Sequence, residues 1–270
     1  MNEFEQGMLA ATLTDTGVWR MQICLLGSFC VLQAGRSVAF RGGGKTESLL
    51  CYLGLQYRQP VPRDLLIHTL WPASDVVLAH QSLNSLVYNL HKLGGDMLGG
   101  AAPVLHNDGY YRLNTEAGVG VDVACFDAWA DTGDQQILAG DLERAARSYD
   151  RSVRMYRGDL CVATTVESIL ERERLRARFL SILAYLADAQ YRVGDYSACL
   201  KQAWRLLSHD PCREDAHRVV MRCYVRRGER TAALRHYHTC TDILRAEFDV
   251  EPEPATTALF DQIRLQPSQI

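Results

Sequence analysis

The chain has 270 residues, of which 47% are apolar and 23% charged, and a formal charge of −3. That length is ample for two domains, and the near-neutral charge excludes a protein that coats nucleic acid over its whole surface. No apolar run approaches the roughly 20 residues that span a bilayer. Charge is nevertheless local: residues 20–114 carry eight basic against five acidic side chains, and the acidic excess lies beyond them. The nine cysteines form no CxxC and the eight histidines no HExxH or comparable ligand spacing. Reduced, buried thiols are therefore expected, with no metal site, no cofactor and no enzyme chemistry.

Residues 1–19 read as a flexible leader. They lack the basic and apolar regions of a secretory signal, so a cytoplasmic location is expected. MQICLLGSFCVLQ (21–33) alternates and is rich in strand formers, and Arg36–Phe40 completes a small N-terminal sheet. TESLLCYLGLQYR puts Leu49, Leu50, Leu53 and Tyr57 on one helical stripe. VPRDLLIHTLW is a second short helix, with Pro62 in its first turn, Asp64 at its positive end and Pro72 as its stop. Trp71 is expected to anchor that helix in the core, so that Trp71→Ala would cost about 3–5 kcal/mol.

A third helix over 78–93 places Leu83, Val87 and Leu90 on one side, flanked by Leu86. Gln81, Ser85, Tyr88 and Lys92 lie on the other, with Ser82 and Asn89 adjoining. Amides, hydroxyls and a lysine are side chains that reach base edges or phosphates. LHNDGYYRLN then reads as a hairpin: Asn107-Asp108-Gly109 is the tight turn, Arg112 follows on the wing, and Tyr111 packs inward with Leu113. Helix followed by hairpin is how a winged helix presents itself to double-stranded DNA.

Ala39–Thr46 loosely fits a phosphate loop, which would make Gly44-Lys45-Thr46 a nucleotide site. The short, polar-flanked strand before it and the lack of alternating βα units argue against that. Phosphate contact on DNA by Arg41, Lys45 and Lys92 is the better reading. Glycines around 94–100 and 118–120 punctuate the chain, and after Asp122 it is nearly all helical. Gly194-Asp195-Tyr196 and Gly228-Glu229-Arg230 lie 34 residues apart, each opening a helix with small residues such as Cys199, Ala203 and Ala233. Gly140-Asp141-Leu142, with Ala145 and Tyr149, is an earlier copy. That period indicates tetratricopeptide-like repeats.

Leu25-Leu26-Gly27, Gly44-Lys45, Arg63-Asp64-Leu65-Leu66, Leu70-Trp71-Pro72 and Tyr111-Arg112-Leu113 match a known pattern. So do Asp122 with Phe126, Glu173-Arg174-Leu175, Asp210-Pro211, Glu214 with His217-Arg218, and Val250-Glu251-Pro252. Over residues 21–265 the chain resembles the Streptomyces antibiotic regulatory protein family. The resemblance implies a mostly α fold with a small β component: an OmpR-like winged helix (20–115) followed by a bacterial transcriptional activator domain of tetratricopeptide-like helices (121–265). It further implies binding to direct repeats in promoter DNA, often as a dimer, and recruitment of RNA polymerase. Arginine-rich recognition helices are common in the family; here His80, Asn89 and His91 stand at positions that are often arginine. Fewer phosphate partners weaken binding, so a homodimer, a second DNA-binding protein or a small-molecule effector would complete the grip. The alternative is a repeat-type interaction adaptor with a degenerate winged helix.

Overall fold

A computed structural model describes residues 19–38, 44–162 and 165–266. It opens with β1 (Met21–Cys24), β2 (Cys30–Gln33), β3 (Arg36–Val38), α1 (Lys45–Leu55), β4 (Val61–Pro62), α2 (Arg63–Leu70), α3 (Val76–Gly94), β5 (Val104–Asn107), β6 (Tyr110–Leu113) and β7 (Val119–Val121). Helices follow: α4 (Asp122–Leu138), α5 (Leu142–Met155), α6 (Val166–Arg192), α7 (Tyr196–His209), α8 (Glu214–Arg226), α9 (Arg230–Phe248) and α10 (Pro254–Leu265). By contact density the chain divides within α6, into compact units Met1–Leu175 and Arg176–Ile270. The expected leader, 1–19, lies outside the described residues except for Trp19.

The first sheet has the order β3-β2-β1-β7. β1 pairs antiparallel with β2 and parallel with β7, where Ile23 faces Val121. Met21, Ile23, Cys24, Leu25 and Leu26 are fully buried, so β1, paired on both sides, is a core strand. β7 departs from the expectation of glycine punctuation around 118–120: Val119 and Val121 flank Gly120 and all three are buried against β1. The second sheet, β4-β6-β5, forms the wing and its base. Leu49, Leu50 and Leu53 of α1, Leu66 and Leu70 of α2, and Leu83 and Leu90 of α3 close one apolar core with Tyr111 and Leu113.

Trp71 corrects an expectation. It is only half-buried and sits at the C-cap of α2, its N–H bonded to Ile67 O at 2.8 Å. Trp71→Ala should therefore cost about 1–2 kcal/mol, below the range for a core tryptophan. A shift in the urea midpoint as large as that for Leu66→Ala would contradict this placement.

The repeat reading has a backbone cause. Gly140, Gly194 and Gly228 adopt φ values of 79°, 81° and 78° at the ends of α4, α6 and α8. Each donates to the carbonyl three residues earlier (Ile137, Tyr191, Val225), and the next residue donates five back (Gln136, Gln190, Tyr224). That is the Schellman closure, which requires a left-handed residue. Asp141 and Asp195 then cap the following helices through Arg144 N and Ala198 N, both at 3.0 Å. No neighbouring atom crowds a Cβ at Gly228. Gly228→Val should thus destabilise by about 1–2 kcal/mol through backbone strain alone, measured by urea denaturation against Gly228→Asn, which tolerates this conformation better. In the second unit Met221, Ala233, Leu259 and Ile263 form the core beneath Tyr224, Tyr237 and Phe260.

Candidate nucleic-acid interface

α3 starts where Asp75 Oδ1 accepts from Val77 N at 2.9 Å and Leu78 N at 3.2 Å. This is an N-cap that satisfies donors otherwise left without partners. Ala79, Leu83, Val87, Leu90 and Gly94 are buried, the spacing of one helical face. The opposite face exposes Gln81, Ser85, Tyr88 (69% exposed), Asn89 and Lys92. His80 and His91 lie on its shoulder, half-buried, and His91 Nε2 lies 2.9 Å from Val104 O at the base of the wing. Val76, Val77 and Leu78 in the first turn are also exposed.

The wing is a two-residue hairpin. Asp108 (φ 48°) and Gly109 (φ 81°) both take left-handed conformations, the requirement of a type I′ turn. Asn107 and Tyr110 pair across it, both exposed. Tyr111 is buried and stacked on His106, ring centroids 4.3 Å apart. The wing is tied down at its tip: Arg63 N donates to Gly109 O at 2.8 Å, and the Arg63 guanidinium donates to Asn84 Oδ1 of α3 at 2.6 Å. Arg63 thus stands in the notch between α3 and the wing. In the sequence it stood out only as part of the Arg63-Asp64-Leu65-Leu66 motif, and nothing in local spacing places it in this notch.

The basic residues divide. Lys92 is exposed on the α3 face, and Arg41 lies outside the described residues. Lys45 donates through Nζ to Leu70 O at the C-terminus of α2, 5.8 Å from the Trp71 ring centroid. There a cation meets the negative end of a helix. Thr46 is buried, and residues 39–43 of the loop before it lie outside the described residues. Arg112 is half-buried and bonds Glu116 at 3.1 Å, turned along the hairpin rather than outward from its tip. The face that α3 brings together is therefore Gln81, Ser85, Tyr88, Asn89 and Lys92, with Arg63, Asn84 and Asn107 beside it.

Two buried carboxylates join this module to the helices after it. Asp122, at the start of α4, accepts from Leu25 N at 2.8 Å, Leu26 N at 3.0 Å and Val123 N at 2.9 Å, with Arg157 at 3.4 Å. Burial pushes its carboxyl up, and the backbone N–H groups and Arg157 oppose that. Asp127 accepts from Tyr57 at 3.0 Å, Arg58 at 3.3 Å, and both terminal nitrogens of Arg174 at 3.0 and 2.7 Å.

A winged helix with a polar outer face on its third helix, followed by Schellman-closed helical repeats, is the architecture of a DNA-binding transcriptional regulator. Residues 121–264 match the bacterial transcriptional activator domain, and the chain belongs to that family. It is 25% identical to the transcriptional regulatory protein MoaR1 of Mycobacterium tuberculosis, over 97% of this chain and 85% of that protein. It is likewise 25% identical to the regulatory protein DnrI of Streptomyces peucetius, over 86% and 88%. A solved structure of Mycobacterium tuberculosis EmbR, in complex with a low-affinity phosphopeptide, shares the fold with a TM-score of 0.67 at 24% identity. That match spans 92% of this chain and 66% of the other. These relatives are transcriptional regulators, and this chain is one of the same kind. No described helix is long and apolar enough to cross a membrane.

Proposed function

We propose that α3 lies in the major groove of promoter DNA, with Gln81, Ser85, Tyr88 and Asn89 toward base edges and Lys92 toward phosphate. The wing tip at Asn107 and Tyr110 lies on the neighbouring backbone. Arg63 takes the phosphate nearest the notch, where Arg112 and Lys45 had been expected to serve. His80, on the shoulder, borders that contact. The protein acts in the cytoplasm as a homodimer on direct repeats, and residues 121–265 contact RNA polymerase or a second copy or take up an effector. The carrying observation is the exposed face of α3, held at fixed height by the Arg63 bridge to Asn84 and the wing.

The test is footprinting of a bound promoter followed by titration across a salt series. Lys92→Ala should lower the slope of log affinity against log salt by about 1, and weaken all sequences alike. Tyr88→Ala and Asn89→Ala should instead relax the discrimination among operators. One observation favours a second reading, in which the winged helix serves as an adaptor: Lys45 and Arg112 are both engaged within the protein. A salt slope near zero, with unchanged reporter output in Lys92→Ala, would select it.

A further inference from the structure

An open cavity of about 860 Å³ lies beside α1 in the first compact unit, and two thiols line it: Cys51 from α1 and Cys161 from the segment that follows α5. That segment adds to the end of β1. Leu160 bridges Leu26, and Cys161 N donates to Leu25 O at 2.8 Å. The two thiols share this one cavity wall, and each perturbs the other's titration. We infer that Cys51 and Cys161 are a reversible oxidation site for peroxide, closing to a disulfide that fixes α1 of the winged helix to the segment ahead of α6.

The other cysteines of the described residues lack this combination. Cys24, Cys125 and Cys240 are buried, and burial pushes each thiol up to about 12, which keeps them protonated and inert. Cys199 and Cys223 touch at 3.3 Å, but both are wholly enclosed between α7 and α8. Cys212 is half-buried, and its thiol too is raised by burial. Cys161 differs from these in its access. It is half-buried on a cavity wall, and Cys51 holds its thiol below the ordinary range as Cys199 does that of the enclosed Cys223. Cys30 is also half-buried but sits on β2 opposite the buried Cys24 of β1, and neither lines this cavity.

The chemistry balances with peroxide as the oxidant. The Cys161 thiolate attacks one peroxide oxygen, the O–O bond breaks, and Cys161 becomes a sulfenic acid as hydroxide leaves. The Cys51 sulfur then attacks the sulfenic sulfur. An S–S bond forms, the S–O bond breaks, and the Cys51 proton departs with that oxygen as water. Two thiols lose two electrons, and one peroxide becomes two waters. A dithiol reductant reverses the reaction by exchange.

The experiment uses the full reduced chain, treated with hydrogen peroxide, alkylated, digested and mapped by mass spectrometry. The expected product is a Cys51–Cys161 linked peptide, absent after dithiothreitol. The melting transition that carries the first unit should rise by about 5 °C on oxidation, since the bond closes a long loop. Cys161→Ser should abolish both changes. In Cys51→Ala, Cys161 should stop at a sulfenic acid trapped by dimedone; if that variant does not fold, the wild-type linkage map decides alone. The proposal is overturned by no linkage, by linkage of another pair first, or by a linked protein with unchanged melting.

Discussion

Asp122→Ala should be the most damaging single substitution in the first unit, costing about 3–5 kcal/mol in urea denaturation. The carboxylate is 1% exposed and is the acceptor for the two N–H groups that follow β1, at Leu25 and Leu26. Removing it leaves both donors buried without partners, at about 1–3 kcal/mol each, and strands Arg157 beside an apolar methyl. Since a whole domain is stable by only about 5–15 kcal/mol, the variant should melt at the temperatures of handling. Asp122→Asn should cost much less. Its amide oxygen can keep one of the two β1 bonds, and the neutral side chain escapes the desolvation that pushes the native carboxyl up. Equal loss for Ala and Asn would place the effect in packing instead of in these bonds.

The same geometry bears on function. Asp122 clamps the end of β1, Asp127 gathers Tyr57, Arg58 and Arg174, and Leu160 bridges Leu26. The winged helix and α4 are therefore one packed body and not beads on a linker. Arg174 bonds Asp127 through both terminal nitrogens, a bidentate geometry that lysine cannot reproduce.

Local chemistry made parts of this legible in the sequence. The αL turn at Asp108-Gly109 follows from residue type, and the buried face of α3 follows from a period of 3.6. The Gly-Asp repeats announced their Schellman closures for the same reason. Other features depend on partners far along the chain. β7 is three residues long and gains its strand character from pairing with β1, almost a hundred positions earlier. Arg63 and Asn84 meet only because α2 and α3 pack together, so neither residue signals the other. Lys45 and Arg112 had the right type for phosphate, but the Leu70 carbonyl and Glu116 take them. Composition changes near 115–121, where the family match also begins, whereas compactness breaks at 175 because the carboxylate clamps cross the earlier point.

The second unit should lose stability on acidification well before its carboxylates titrate, because of two buried histidines. His217 Nε2 lies 2.8 Å from Pro211 O, and a carbonyl can only accept, so His217 carries its proton on Nε2. Its Nδ1 is then the acceptor 2.9 Å from His236 Nε2, which must donate. The Trp204 ring edge covers His236, with centroids 5.2 Å apart. Burial lowers both histidines and takes His236 down to about 4, with further lowering from His217. Unfolded histidine titrates near 6.5, so between pH 6.5 and about 4 the unfolded chain binds protons that the folded pair refuses. Stability is full above pH 6.5 and falls as pH drops through that window, by about 3 kcal/mol for His236 alone. Asp215, lowered by its bond to Arg213, acts only below this range, as pH falls under its ordinary carboxylate value. The measurement is the denaturation midpoint of the full chain at pH 7.5, 6.0 and 5.0, followed by a signal from Trp204. His236→Gln keeps an amide donor for His217 without a titrating ring, so its profile should be flatter over that range even if its stability at pH 7.5 is lower. A slope as steep as that of wild type would show that the acid sensitivity comes from elsewhere.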